Sequence, residues 1–292
     1  MYKPEIQQFY TPIIQQHIHP DLEVLDVKPI PGGCINNAQR LSTIKGEFFL
    51  KWNDGVPVDF FRKEFEGLNY LRKYSPLTIP KPIAVGKQEQ IPYLLMEFIV
   101  PGKRAKIFWE DFGEKLGDLH RVTHETFGFY HQNYIGALKQ FNEPEETWID
   151  FFIKKRIMPQ LKLAQSKKLI ATNTISKFEI LFQKLPEILT EEKPGLLHGD
   201  LWSGNVMIDA KGYACLLDPA VYYGNREIEI AFTQLFGGFD DTFYKAYFYN
   251  FPTAKGFEKR AEIYNLYPLL VHVNLFGGSY LSAVESVLKR YS

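Results

Sequence analysis

Cysteine is almost missing from this sequence: Cys34 and Cys215 are the only two in 292 residues. That excludes a disulfide framework, and a chain of this length without one reads as cytoplasmic. Long apolar runs are missing too. The best stretch, Leu266 to Phe276, is broken by Pro268, His272 and Asn274. It falls short of the roughly 18–20 apolar residues a membrane helix needs, so no membrane partner is expected. The opening residues, Met1-Tyr2-Lys3-Pro4-Glu5, show no apolar signal segment. Neither sign of charge dominates: 34 Lys plus Arg stand against 34 Asp plus Glu, a formal net charge of +0. With no basic arm, nucleic acid is not an expected partner.

What is present is an ordinary globular mixture, 45% hydrophobic and 23% charged, which excludes disordered and fibrous classes. The length suits one large domain or two closely joined ones. Aromatic residues reach 15%, with 24 Phe and 17 Tyr. Most are expected to fill the core, leaving a few to stack on a flat ligand.

The chain changes character near residue 100. Before it, strands are expected over 22–30, 38–44, 47–52 and 91–99, with Lys45-Gly46 as a hairpin turn and one helix over 59–73. Pro76, Pro80 and Pro82 mark loops and an extended segment. Pro101-Gly102 ends the last strand. After it, helices dominate. One carries Phe112, Leu116 and Leu119. A second starts near Glu146 and is kinked or ended at Pro159. A third covers 176–189 behind a Ser176/Glu179 capping box. Two short strands, 206–208 and 214–217, precede helices over 227–236, 241–250, 257–273 and 278–290. The expected organisation is an N-terminal β-rich lobe, residues 1–100, and a helical C-terminal lobe, residues 101–292.

Gly32-Gly33 falls between two expected strands. Rossmann and Walker loops join a strand to a helix, and neither glycine pattern is present. Kinases do cover ATP phosphates with a glycine turn between antiparallel strands. Glycine there lets backbone N–H groups approach the phosphate oxygens. A plain hairpin turn is the alternative. One strand later comes Lys51, and Glu64 follows on the expected helix. A strand lysine held by a helix glutamate is the kinase arrangement for the α- and β-phosphates. Glu66 competes for that role. Glu64 is favoured because Leu68 and Leu71 then fall on the adjoining buried face. Glu97 to Pro101 ends the apolar strand as a lobe connector would, with backbone groups of Glu97 and Ile99 facing an adenine.

The strongest pattern is Leu196-Leu197-His198-Gly199-Asp200-Leu201-Trp202-Ser203-Gly204-Asn205, with Asp218 ending a short apolar strand further on. Phosphoryl transfer needs one carboxylate to orient the attacking hydroxyl, and a second carboxylate plus an amide oxygen to hold Mg²⁺. Asp200 fits the first role, and Asn205 and Asp218 fit the metal roles. His198 is expected to hold the loop by hydrogen bonds. Any one of these residues alone reads as turn chemistry. The ordered series does not.

HGDLWSGN followed by LLDPAVYYGNREIEIAFTQLFGGF resembles the fructosamine kinase (ketosamine-3-kinase) family, within the aminoglycoside phosphotransferase and choline kinase-like group of protein-kinase-like folds. PGGCINNA, the Lys51 strand, FRKEFEGLNYL and IPKPI extend the resemblance over most of the chain. It implies an α+β, two-lobe kinase fold and ATP-dependent, Mg²⁺-assisted phosphorylation of the 3-hydroxyl of a ketosamine, free or protein-bound. The product sheds its sugar, which implies deglycation. By motif position Asp200 becomes the catalytic base, Asn205 and Asp218 the magnesium ligands, and Lys51 and Glu64 the phosphate anchor. Asp218-Pro219-Ala220 stands where protein kinases carry Asp-Phe-Gly. Trp202 either stacks on the sugar or packs in the core. Cys34, in the glycine loop, is a redox candidate by family resemblance, and the chain either a monomer or a disulfide-linked dimer. An ordinary free thiol is the alternative. Cys215 is expected to be buried and inert. Two other readings remain: a kinase of the same fold acting on an aminoglycoside, choline or sugar hydroxyl, and a catalytically inactive ATP-binding protein.

Overall fold

The computed structural model describes residues 6–31 and 36–291. Its strands are β1 (Asp26–Pro29), β2 (Asn37–Thr43), β3 (Gly46–Trp52), β4 (Pro82–Gln88), β5 (Ile91–Glu97), β6 (Asn133–Ile135), β7 (Leu138–Gln140), β8 (Gly195–Leu197), β9 (Val206–Ile208), β10 (Ala214–Leu216) and β11 (Tyr222–Gly224). Its helices are α1 (Thr11–His17), α2 (Phe60–Tyr74), α3 (Phe108–His120), α4 (Trp148–Phe151), α5 (Met158–Ser166), α6 (Thr172–Ile188), α7 (Glu227–Leu235), α8 (Asp241–Asn250), α9 (Phe257–Tyr264), α10 (Leu266–Phe276) and α11 (Leu281–Leu288). None is long and apolar enough to cross a membrane.

The chain forms two compact units. The first comprises residues 1–108 and 204–218. It is built on an antiparallel sheet of order β1-β2-β3-β5-β4. One face covers a core of Ile13, Ile14, Leu22, Val24, Leu41, Leu50, Tyr93 and Leu95. α2 buries Phe61, Leu68 and Leu71. The division at residue 100 leaves 204–218 with the helical part, but in the structure this segment packs with the sheet unit. Unpaired backbone groups explain the attachment. Gly102 N–H donates to Ile208 at 3.0 Å, Ala105 N–H to Gly212 at 3.0 Å, and Leu216 N–H to Thr78 at 2.9 Å.

The second unit, residues 109–203 and 219–292, is mainly helical, with a mixed aliphatic and aromatic interior. Trp148 is fully buried and stacks on Phe151 and Phe152, at 5.8 Å and 5.7 Å between centroids. Short ladders brace it: β8 pairs with β11, and β6 with β7.

Several local expectations are corrected. β1 is shorter than 22–30. Where loops and an extended segment are expected around Pro82, the structure has a full strand, β4, starting at that proline; it lies at the sheet edge, where a missing N–H is tolerated. Pro159 neither ends nor breaks its helix. A π-helical stretch, Phe152–Ile157, runs directly into α5, whose second residue is the proline, so the helical run continues through it. The Ser176/Glu179 capping box does not form, since α6 already starts at Thr172. The single helix over 257–273 is two, α9 and α10, separated at Asn265.

Candidate active site

In the first unit β3 delivers Lys51 and α2 delivers Glu64. The register sets Lys51 between Ala38 and Leu94, so its side chain leaves the central strand on a buried path. Its ammonium donates to Glu64 Oε1 at 2.8 Å and to Asp218 Oδ1. Glu66 pairs with Lys63 at 3.1 Å instead. Burial works to lower the Lys51 pKa, but the Asp218 and Glu64 carboxylates outweigh it and raise it, so the ammonium stays charged. Glu64 is pushed up by its burial and by Asp218, with Lys51 opposing.

Asp218 follows β10, and Asn205 precedes β9. The hairpin joins them: Leu217 N–H donates to the Asn205 carbonyl at 2.9 Å. Asp218 has φ of 55°, the left-handed region, where few residues other than glycine sit. Such conformations concentrate at functional sites. Its side chain remains 43% exposed although Lys51, its partner, is buried. Cys215, on β10, is fully buried, and burial pushes its thiol up to about 12.

Glu64 and Asp218 also line a cavity of about 440 Å³. Phe49, Leu68, Met96, Met207 and Leu217 make its walls apolar, and Glu97 and Ile99 line it too. The Glu97 side chain serves the scaffold: its Oε1 accepts from Lys81 N–H at 2.6 Å and lies 3.5 Å from Arg72. Gly32, Gly33 and Cys34 lie outside the described residues.

In the second unit the loop after β8 carries His198, Gly199 and Asp200. Gly199 has φ of 85°, and a Cβ there would meet the Ala220 carbonyl at 2.0 Å. Glycine is therefore required. Glu229, on α7, organises this loop. It accepts from Gly199 N–H at 2.6 Å, from His198 N–H at 3.2 Å and from His120 Nε2 at 2.9 Å. Tyr247 meets the far side of the His120 ring at 2.8 Å. Burial pushes the Glu229 carboxyl up, but the bonds from His120 and Gly199, with His198 alongside, hold it below its ordinary value. Asp200 N–H donates to His198 Nδ1 at 3.3 Å. Half-buried Asp200 lines a small cavity with Tyr222, Glu229, Tyr267 and His272. Trp202 is 37% exposed and packs edge-on against Phe236.

Glu229, His120 and His272 were not singled out in the sequence. A signal for Glu229 existed: two carboxylates, Glu227 and Glu229, stand in an otherwise apolar helix run, EIEIAF. Both are buried and both are partnered, Glu227 by Arg260 at 2.7 Å. Buried charges need such partners.

A buried strand lysine on a helix glutamate, an Asp-bearing hairpin and a separate loop aspartate define a kinase-like phosphotransferase. Its fold is α+β and protein-kinase-like, shared with aminoglycoside phosphotransferases of known structure. The fructosamine kinase family matches residues 6–292, and the chain belongs to that family. A protein of Enterococcus faecium, provisionally named a ketoamine kinase, is 40% identical over 91% of this chain and 95% of its own. The chloroplastic protein-ribulosamine 3-kinase of Arabidopsis thaliana is 36% identical over 92% of this chain and 83% of its own. A crystal structure from Haemophilus somnus, provisionally named a fructosamine-3-kinase, has a TM-score of 0.88 at 25% identity, over 99% of each chain.

Proposed function

We propose that this chain transfers the γ-phosphoryl group of ATP to the 3-hydroxyl of a ketosamine, a fructosamine or a ribulosamine. The observation that carries the reading is the buried Lys51 ammonium, fixed by Glu64 and Asp218 beside an apolar cavity large enough for a nucleobase. Family membership favours a ketosamine over an aminoglycoside, choline or plain sugar.

In this reading the cavity walls, Phe49, Met96 and Leu217 among them, take the adenine, with the backbone of Glu97 to Ile99 alongside. Lys51 neutralises the α- and β-phosphates, and Glu64 keeps its rotamer. Asp218 and Asn205 offer a carboxylate and an amide oxygen on one hairpin, a hard-oxygen set that suits Mg²⁺. When bound, that ion neutralises charge developing on the phosphates. Asp200 orients the acceptor 3-hydroxyl and takes its proton as the new O–P bond forms. The bond to the β-phosphate oxygen breaks, and ADP leaves. Glu229 fixes the loop backbone so that Asp200 needs little reorganisation. A cytoplasmic location accords with the scarcity of cysteine.

Release of ADP with Mg²⁺ and a fructosyl-amine, a ribulosyl-amine, choline, an aminoglycoside and free fructose tests this. Turnover is expected on the ketosamines and background on the rest. Faster turnover on any of the other acceptors would refute it.

A further inference from the structure

Asp200 and His272 line the same small cavity, of about 30 Å³. The His272 ring is also the hub of an aromatic cluster. Its centroid lies 4.6 Å from Phe236, 4.9 Å from Tyr280 and 5.5 Å from Phe276. Phe236 in turn meets Trp202 at 6.3 Å. Trp202 and Phe276 remain partly exposed. His272 Nδ1–H donates to the Pro268 carbonyl at 2.7 Å. Burial lowers its pKa, the Pro268 carbonyl opposing, so the ring is neutral at neutral pH. In a neutral imidazole whose Nδ1 donates, Nε2 is an acceptor. Glu229 lines the cavity as well, where it accepts from His120, His198 and Gly199 and so serves the loop.

A ketosamine differs from the parent ketose in one group: a secondary amine on C1, protonated at neutral pH. Three carbon atoms separate that nitrogen from the 3-oxygen. A substrate offering its 3-hydroxyl to Asp200 therefore brings its ammonium close to the same cavity. Building on the function proposed above, we propose that His272, with the neighbouring rings of Trp202 and Phe236, is the specificity-determining site for the substrate's ammonium. Nε2 accepts its N–H, and the ring faces hold its charge. The site thereby selects the glycated amine against the free sugar.

The test compares kcat/KM for an N-alkyl 1-amino-1-deoxyfructose and for its ether analogue, with oxygen in place of the amine. The wild type should favour the amine by about tenfold or more, the scale of one desolvated cation–π contact. His272→Ala should erase most of that preference, mainly through KM. His272→Gln, which restores an acceptor, should recover part of it. Trp202→Leu, on the surface, carries the test should His272→Ala fail to fold. Equal kcat/KM for both compounds with the wild type would overturn this inference and leave the kinase reading standing. So would variants that lower both compounds alike. Turnover of neither compound would overturn the proposed substrate class and this inference with it.

Discussion

Each unit buries a glutamate beside its candidate site, and the two carboxylates are displaced in opposite directions. Glu64 is pushed up by burial and by Asp218. Glu229 is more deeply buried, yet it is held down. The difference lies in the donors. Glu64 shares one ammonium with a second carboxylate, whereas Glu229 collects two backbone N–H groups and an imidazole N–H for itself. A carboxylate with several donors is stabilised as the ion, and one that shares a cation is not fully compensated. The first arrangement leaves Asp218 partly exposed to solvent. The second is fixed scaffold.

The largest expected effect tests the group this scaffold presents. Asp200→Asn should fold normally and bind ATP, but lose roughly two to four orders of magnitude in kcat, the scale of a positioned base. Near-normal single-turnover rates on the best ketosamine would remove Asp200 from the chemistry.

Glu229→Ala strikes the scaffold itself. It leaves His120 and two backbone N–H groups buried without their acceptor. Breaking a buried charged network costs about 3–5 kcal/mol. A fall of that size in unfolding free energy, measured in urea, is expected. By contrast Asp218→Asn should cost less than Glu229→Ala, since Lys51 keeps Glu64 as a partner, Asp218 is 43% exposed and asparagine tolerates the left-handed backbone. The same change should weaken nucleotide binding far more with Mg²⁺ than without it. Equal losses in the two titrations would dismiss the ligand assignment.

The opposite displacements also give opposite pH slopes. The Glu229 pKa is depressed in the folded state, so its contribution is full above the ordinary glutamate pKa. It is lost as pH falls through the lower folded value. The Glu64 pKa is raised, so ionising it opposes folding as pH climbs from the ordinary value through the folded one. Glu229→Gln should flatten the acid limb of the stability curve, and Glu64→Gln should remove a loss on its upper side. Unfolding free energies from acid to neutral pH separate the two. Parallel curves for both variants would show that the pair does not differ as described.

How much of this was legible in the sequence follows from distance along the chain. Asp200 and Asn205 stand in one short motif, and the fold class followed from the β-rich opening and helical remainder. Lys51 and Glu64 were legible because strand and helix periodicity place them. Glu229 was not, because its partners at His120 and Gly199 are remote in sequence and nothing in EIEIAF says which carboxylate turns toward the loop. The pairings β6–β7 and β8–β11 escaped for other reasons. β6 and β7 are only three residues each, and β8 finds its partner β11 across the whole β9–β10 segment. The attachment of residues 204–218 to the sheet unit includes backbone bonds to Thr78, Gly102 and Ala105, which side-chain pattern does not encode.

The smallest expected effect concerns Glu97, which lines the large cavity of the first unit. Its position invites a contact between its carboxylate and the nucleotide. The geometry argues otherwise. Oε1 already accepts the Lys81 N–H at 2.6 Å, and Arg72 lies 3.5 Å away. Lys81 and Arg72 belong to the scaffold beneath β4 and β5, so the side chain is committed there and only the backbone is left for an adenine. Glutamine keeps an oxygen that can accept from Lys81 and removes only the charge facing Arg72. That exposed pair is worth about 1 kcal/mol or less. Glu97→Gln should therefore leave the ATP KM within about twofold of wild type, with at most a small fall in stability. The KM for ATP at saturating ketosamine is the measurement. A rise of tenfold or more would show that the carboxylate itself contacts the nucleotide, and Glu97 would then join Lys51 and Asp218 as a ligand-binding group.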